Sequence, residues 1–304
     1  MKILFLFIDG VGLSNPKYDN PLNAEVCPTL FKLIRNHGKP IDACLGIPGA
    51  PQSATGQATM FTGINCAKEL GRHCEGFPPP AVKRIVNAGN IFLELKKRGR
   101  KVSFADAYLV DTLEELKSER FLSVTSVMAL TVPESIRILP NLINDDAVMQ
   151  DITRETIQDN FPDVPIVSPV RAARHLFNIA QDSDFTLYEF FQSDVAGHSM
   201  DYARACAVLR LYDRFLTQLV TYTEAAGITL VMTSDHGNVE SIDSRSHTLN
   251  PVPFIAYGPK EKFLRERVNS LTDVTPAILE AFDSSQKPKT INPIINIKEL
   301  IHGM

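Results

Sequence analysis

KILFLFIDGVG, residues 2–12, reads as a buried strand running into a turn. Ile3 to Ile8 are all apolar, with no alternation of polar and apolar positions. A strand with one wet face alternates, so this run is covered on both faces, as strands of a parallel sheet are. It ends at Asp9, with Gly10 and Gly12 to turn the chain, which puts a carboxylate at a strand's C-terminal end. Working outward, similar runs stand at KVSFA (101–105), FTLYEF (185–190), ITLVMT (228–233) and PFIAY (253–257). Helical patterns lie between them: CPTLFKLIRNHG (27–38), a segment from about 81 to 98, PVRAARHLFNIA (169–180) and residues 201–226. In the last, Leu211, Tyr212, Phe215 and Leu219 recur at helical spacing. The alternation predicts an α/β chain: a three-layer α/β/α, doubly wound, mainly parallel sheet. Sites in such sheets lie at the C-terminal ends of the strands.

Residues 106–167 break the rhythm. FLSVTSVMAL (121–130) reads as a strand with two covered faces, and NLINDDAVMQDITRETI (141–157) as a helix. The expectation is a core domain made of 1–105 and 168–304, with 106–167 inserted as a small α/β cap.

Composition is that of an ordinary globular protein, with 44% hydrophobic and 22% charged residues, so a sizeable core is expected. The net charge of −4 and the lack of a basic run argue against nucleic acid or an anionic membrane as partner. The apolar start meets Asp9 too soon for a secretory leader or a membrane span. The five cysteines are scattered and form no CxxC pair, which fits a reduced cytoplasm. Oligomeric state is not written in any of this.

Acidic and histidine residues gather where strands end. Asp9 follows the first run, Asp194 and His198 follow FTLYEF, Asp235 and His236 follow ITLVMT, and His247 precedes PFIAY. A lone Asp or His is usually a cap or a satisfied core group, but strand ends converge in a doubly wound sheet. Carboxylates and imidazoles together suit Mn²⁺ or Zn²⁺ without any thiolate. One ion fits Asp, His and His; a second fits two Asp, a His and a serine alkoxide. Such a pair can clamp the attacking and leaving oxygens of a phosphoryl displacement.

The serine comes from PQSATGQATM (51–60), a run of small and hydroxyl residues. A helix starting near Ser53 offers free N–H groups to a phosphate oxygen, and Ala54 and Gly56 leave room for a close approach. A metal on Oγ activates the hydroxyl without an adjacent base. Thr55 is the competing hydroxyl. Arg72, His73 and Arg245 are further candidates for substrate contact, whereas His175 sits in a helical pattern and reads as structural.

FIDGVG, QSATGQ, DVAGH, SDHGN and HTLNPVPF, in this order, resemble the metalloenzyme core of the alkaline phosphatase superfamily. Within it they look like the branch of cofactor-independent phosphoglycerate mutase and phosphopentomutase. LTDVTPAILEAF (271–282) resembles the closing helix of that core. The resemblance implies one metal on Asp194, His198 and His247, and a second on Asp9, Asp235, His236 and Ser53. It makes Ser53 the nucleophile that becomes phosphoserine, and a small phosphorylated metabolite the substrate. Two departures stand out. The mutase has His where Gln57 stands, and its large inserted domain supplies an arginine cluster. Here 106–167 offers chiefly Arg120, Arg137 and Arg154. A mutase must keep water from its phosphoserine, so the sparse cap favours a phosphomonoester hydrolase, with a phosphomutase as the alternative. A sulfatase is disfavoured because QSATG lacks the expected Pro and Arg; a phosphodiesterase and a non-catalytic relic complete the choices.

Overall fold

A computed structural model describes residues 1–14 and 20–285. Residues 286–304, assigned above to the core, lie outside the described residues. In chain order the strands are β1 (Ile3–Ile8), β2 (Gly38–Ile41), β3 (Val102–Phe104), β4 (Ala107–Tyr108), β5 (Arg137–Ile138), β6 (Phe185–Phe190), β7 (Thr229–Thr233) and β8 (Val252–Tyr257). Six of them form the main sheet in the order β2-β8-β7-β1-β6-β3. β1 is parallel to both β6 and β7, and β3 is parallel to β6. β8 runs antiparallel to β7, and β2 antiparallel to β8. β2, with Pro40 in it, is an edge strand; a proline cannot donate to a second neighbour, which is why its short sequence did not read as a strand.

The unbroken apolar run of β1 is explained by two cores. Ile3, Phe5 and Phe7 point into one, with the helices Ser53–Thr62, Pro80–Ala88 and Leu271–Asp283. Leu4, Leu6 and Ile8 point into the other, with Pro28–His37, Pro169–Gln181 and Tyr202–Ala226. The three layers expected from the alternating pattern are therefore present. The 81–98 pattern is two helices, Pro80–Ala88 and Ile91–Lys97, divided at Gly89 and restarted by Asn90, whose side chain accepts from the N–H groups of Phe92 and Leu93.

Two expectations in 106–167 fail. FLSVTSVMAL contains a helix, Val124–Leu130, rather than a strand. Ser123 caps it by accepting from Ser126 N–H, and Val124, Val127, Met128 and Ala129 bury themselves in the main core. Burial overrides the strand preference of the β-branched residues. The stretch 141–157 is not one helix. Leu139–Ile143 stops before Asp145, which takes φ +59°, and only a 3₁₀ turn, Glu155–Ile157, follows. There the Asp151 carboxylate accepts from Arg154 N–H at 2.9 Å and Thr156 N–H at 2.7 Å, a local bond pattern that competes with a helix. β4 and β5 pair with each other, not with the main sheet, above a small cluster of Leu142, Ala147, Met149, Ile157 and Val164. No helix among the described residues is long and apolar enough to cross a membrane.

Candidate metal centre

Sheet order brings the acidic strand ends together. β1 lies between β6 and β7, so Asp9, Asp194 and Asp235 emerge side by side. Gly10, at φ +70°, makes the turn after β1, and a Cβ there would sit 2.6 Å from Asp194 Oδ1. Only glycine lets the two carboxylates approach. Asp194 opens the short helix Gln192–His198, whose next turn carries His198. Because β8 is antiparallel, the chain enters it from the same edge of the sheet, which delivers His247. Ser53 is the first residue of its helix, and that helix packs against Asp235 at Gly56, where a Cβ would be 2.9 Å from the Asp235 Cβ.

Tautomers follow from the carbonyls around the rings. His198 Nδ1 lies 2.7 Å from the Arg245 carbonyl and His247 Nδ1 lies 2.9 Å from the Pro51 carbonyl, so each Nδ1–H donates and each Nε2 keeps a lone pair. The two Nε2 atoms face each other at 3.1 Å. Asp194 stands 3.2 Å from the first and 3.7 Å from the second. Two lone pairs and a carboxylate aimed at one point repel unless a cation joins them. In the other half, His236 Nε2 is 3.0 Å from Ser53 Oγ, 3.2 Å from Asp9 Oδ1 and 3.6 Å from Asp235 Oδ2. Asp9 Oδ1, Asp235 Oδ1 and His236 Nδ1 are buried with no hydrogen-bond partner. Leaving such atoms unsatisfied costs about 1–3 kcal/mol each. Donor atoms lie within 4.8 Å of one another in two groups, Asp194–His198–His247 and Asp9–Asp194–His236, which share Asp194. An oxygen and nitrogen set of this kind fits Mn²⁺ or Zn²⁺.

The charges agree. Burial, then the Asp235 and Asp194 carboxylates, hold the Asp9 pKa well above the usual range. Burial pushes Asp235 up to about 6 and His236 down to about 3. Three carboxyl groups and a neutral imidazole thus crowd one site, a donor set suited to a divalent cation.

Three residues here escaped the sequence reading, and a fourth, Gln57, stands there only as a departure from the mutase pattern. Gln57 Nε2 donates to Asp235 Oδ2 at 3.3 Å and reaches Asp9 Oδ2 at 3.5 Å, so the departure from the mutase pattern sits among the candidate ligands. Asn238 Nδ2 donates to Asp194 Oδ1 at 2.6 Å and orients that carboxylate. Its place inside SDHGN was the available signal. Glu240, fully buried, accepts from the N–H groups of Gly12 and Asn238 and from Thr248 Oγ1, tying three loops under the site. Glu189 lines the cavity at Ser53, accepts from Thr125 Oγ1 at 2.6 Å, and is pushed up to about 7 by burial. It was hidden inside an apolar strand.

The candidate substrate contacts fare differently. Thr55 is buried and spends its hydroxyl on the Gln52 carbonyl and Cys74 N–H, both at 3.2 Å, leaving Ser53 as the hydroxyl that faces His236. His73 Nε2 lies 3.3 Å from the Ile47 carbonyl, and Arg72 is exposed. Arg245 is exposed too; its backbone carbonyl serves the centre by orienting His198. His175 is buried on its helix, 3.6 Å from Asp145 Oδ2.

A mainly parallel α/β/α sheet with these carboxylates and imidazoles at one edge defines an alkaline phosphatase-like metalloenzyme. The chain belongs to the Metalloenzyme superfamily, whose family model matches residues 1–286. Among curated relatives, the 2,3-bisphosphoglycerate-independent phosphoglycerate mutase of Mycoplasma genitalium is 35% identical over 112 residues, 35% of this chain and 22% of that protein. The mutase of the same description from Coxiella burnetii is 32% identical over 124 residues, 38% of this chain and 24% of that protein. The matched stretches thus span about a quarter of those relatives' length. The alkaline phosphatase of the Antarctic bacterium TAB5 superposes with a TM-score of 0.55 at 14% identity, covering 94% of this chain and 99% of that one. That of Thermus thermophilus gives 0.57 at 12%, covering 92% and 91%. These two likenesses concern the fold.

Proposed function

We propose that the protein is a two-metal phosphomonoester hydrolase acting on a small phosphorylated metabolite in the cytoplasm. In this reading Asp194, His198 and His247 hold one divalent ion, and Asp9, Asp235, His236 and Ser53 hold the other. When bound, the ions supply positive charge for the phosphate oxygens and lower the pKa of the serine hydroxyl. Ser53, at the start of its helix, accepts the phosphoryl group: its Oγ–P bond forms as the ester P–O bond breaks, and the departing oxygen takes a proton. Water then cleaves the phosphoserine and frees inorganic phosphate. Asn238 holds the Asp194 carboxylate, and the carbonyls of Pro51 and Arg245 keep Nε2 of His247 and His198 free of protons.

The observation that carries the reading is the meeting of three imidazoles, three carboxylates and Ser53 Oγ at one sheet edge, with two Nε2 lone pairs 3.1 Å apart. Hydrolysis is favoured over isomerisation by the cavity, about 290 Å³, whose lining includes Ser53 but neither Lys nor Arg among the described residues. Of the few arginines in 106–167, Arg154 is buried against Asp145 at 2.8 Å, and Arg137 donates to Ser103 and the Phe104 carbonyl. Residues 106–167 act in this proposal as a cap that brings Ser123 to the cavity wall. The likeness to phosphoglycerate mutases supports a phosphomutase as the second reading. Incubating Mn²⁺-loaded protein with a panel of phosphate esters separates the two. Stoichiometric inorganic phosphate supports the hydrolase, and an isomerised ester with little free phosphate supports the mutase.

A further inference from the structure

The walls of the Ser53 cavity carry information about what the phosphate is attached to. Beyond the candidate ligands they consist of Gln57, Gly76, Phe77, Ser123, Glu189, Phe191 and Val195. Three of these are apolar and exposed: Phe77 at 54%, Phe191 at 36% and Val195 at 38%. Phe121, 60% exposed, extends the surface, with its ring 5.3 Å from that of Phe77. Apolar side chains gathered at the mouth of a reactive cavity are covered when a ligand fills it. Glu189 contributes the remaining acidic group, charged above about pH 7. Its Oε2 is held by Thr125, and with cations seated among the Asp and His groups, this carboxylate is left to meet the rest of the substrate. A second negative charge there would face Glu189 with no lysine or arginine in the lining. Arg120 stacks over Phe121, 5.1 Å from the ring centroid, on the rim and outside that lining.

We propose that the site takes a phosphate monoester whose alcohol part is planar or apolar and carries no second anionic group, an aryl phosphate being the simplest member. The proposal rests on Ser53 as phosphoryl acceptor and adds the identity of the leaving group. With phenyl phosphate, the P–O(aryl) bond breaks as the Ser53 Oγ–P bond forms. Phenolate leaves with the electron pair and takes a proton from water, and a second water returns Ser53 and inorganic phosphate. The aryl ring lies against Phe77 and Phe191.

The test compares kcat/KM at pH 8 of the full, Mn²⁺-loaded chain on phenyl phosphate, glycerol 1-phosphate and 3-phosphoglycerate. Phenyl phosphate should exceed 3-phosphoglycerate by about a hundredfold; because phenolate is also the better leaving group, its lead over glycerol 1-phosphate counts only as far as Phe77→Ala removes it. Phe77→Ala, an exposed position whose loss leaves the core intact, should cut the phenyl-to-glycerol ratio about tenfold. Glu189→Gln, which keeps the shape and removes the charge, should raise 3-phosphoglycerate relative to glycerol 1-phosphate about tenfold. A preference for 3-phosphoglycerate, its loss in Arg120→Ala, or ratios unmoved by both Phe77→Ala and Glu189→Gln would overturn the proposal. If no ester is turned over, the hydrolase reading fails on its own. The pocket is then judged by calorimetry of phenylphosphonate against 3-phosphonopropionate on the same loaded chain. Phenylphosphonate binding at least tenfold tighter supports the claim, and equal or reversed affinity refutes it.

Discussion

Replacing Asp235 by Asn should stabilise the metal-free protein and lose that advantage when metal is bound. Asp235 is fully buried beside Asp9 and Asp194, and burial chiefly pushes its pKa from 3.8 up to about 6. A carboxyl raised in the folded state carries no cost below the unfolded pKa and a growing one as pH climbs through the folded value. Above pH 6 the cost levels off at about two pKa units, or about 3 kcal/mol at roughly 1.4 kcal/mol per unit. Asn carries no charge and can still accept from Gln57 Nε2, the partner that Asp235 Oδ2 has at 3.3 Å. In EDTA at pH 8 the variant should therefore gain up to about 3 kcal/mol, or about 5 °C in melting temperature for a chain of this size. With saturating Mn²⁺ that gain is cancelled. Losing one anionic ligand weakens binding by about a hundredfold, which removes about 3 kcal/mol of ligand-linked stability. The assay is thermal and urea unfolding of both proteins in EDTA and in MnCl₂. A variant less stable in both buffers would make Asp235 a structural hydrogen-bond acceptor and refute the reasoning.

Other consequences can be checked beside it. Asn238→Ala frees the Asp194 carboxylate from its 2.6 Å donor and should weaken metal binding about 10- to 100-fold by equilibrium dialysis, the range for residues that orient ligands. Glu189, raised from 4.5 to about 7, should make metal-free wild type lose up to about 3 kcal/mol relative to Glu189→Gln as pH rises from 4.5 through 7, measured by urea unfolding in EDTA. Native alkylation followed by mass spectrometry should label the half-buried Cys44 and Cys74 first. Cys27, buried with its thiol pushed up to about 12, and the buried Cys66 and Cys206 should react only on unfolding.

The layers were legible because buried parallel strands announce themselves. β1 is an unbroken apolar run and β6 and β7 are buried, mostly apolar ones, and each is followed within a few residues by an Asp or His that now stands at one edge. What stayed hidden was set by tertiary contacts or by single side chains. Val124–Leu130 carries strand-like residues that the main core holds as a helix under a Ser123 cap. The Asp151 carboxylate captured backbone N–H groups that a helix would have used. The antiparallel entry of β8, which explains His247, cannot be read from hydrophobic period. Gln57, Glu189 and Asn238 acquire roles only through partners 48, 64 and 44 positions away in the chain.

The central claim is that two cations share the sheet edge around Ser53. Anomalous diffraction from Mn²⁺-soaked crystals tests it most directly. The account predicts two peaks about 4 Å apart, one bounded by Asp194, His198 and His247 and one by Asp9, Asp235, His236 and Ser53. An edge with no peak, or manganese bound only elsewhere on the surface, would contradict it.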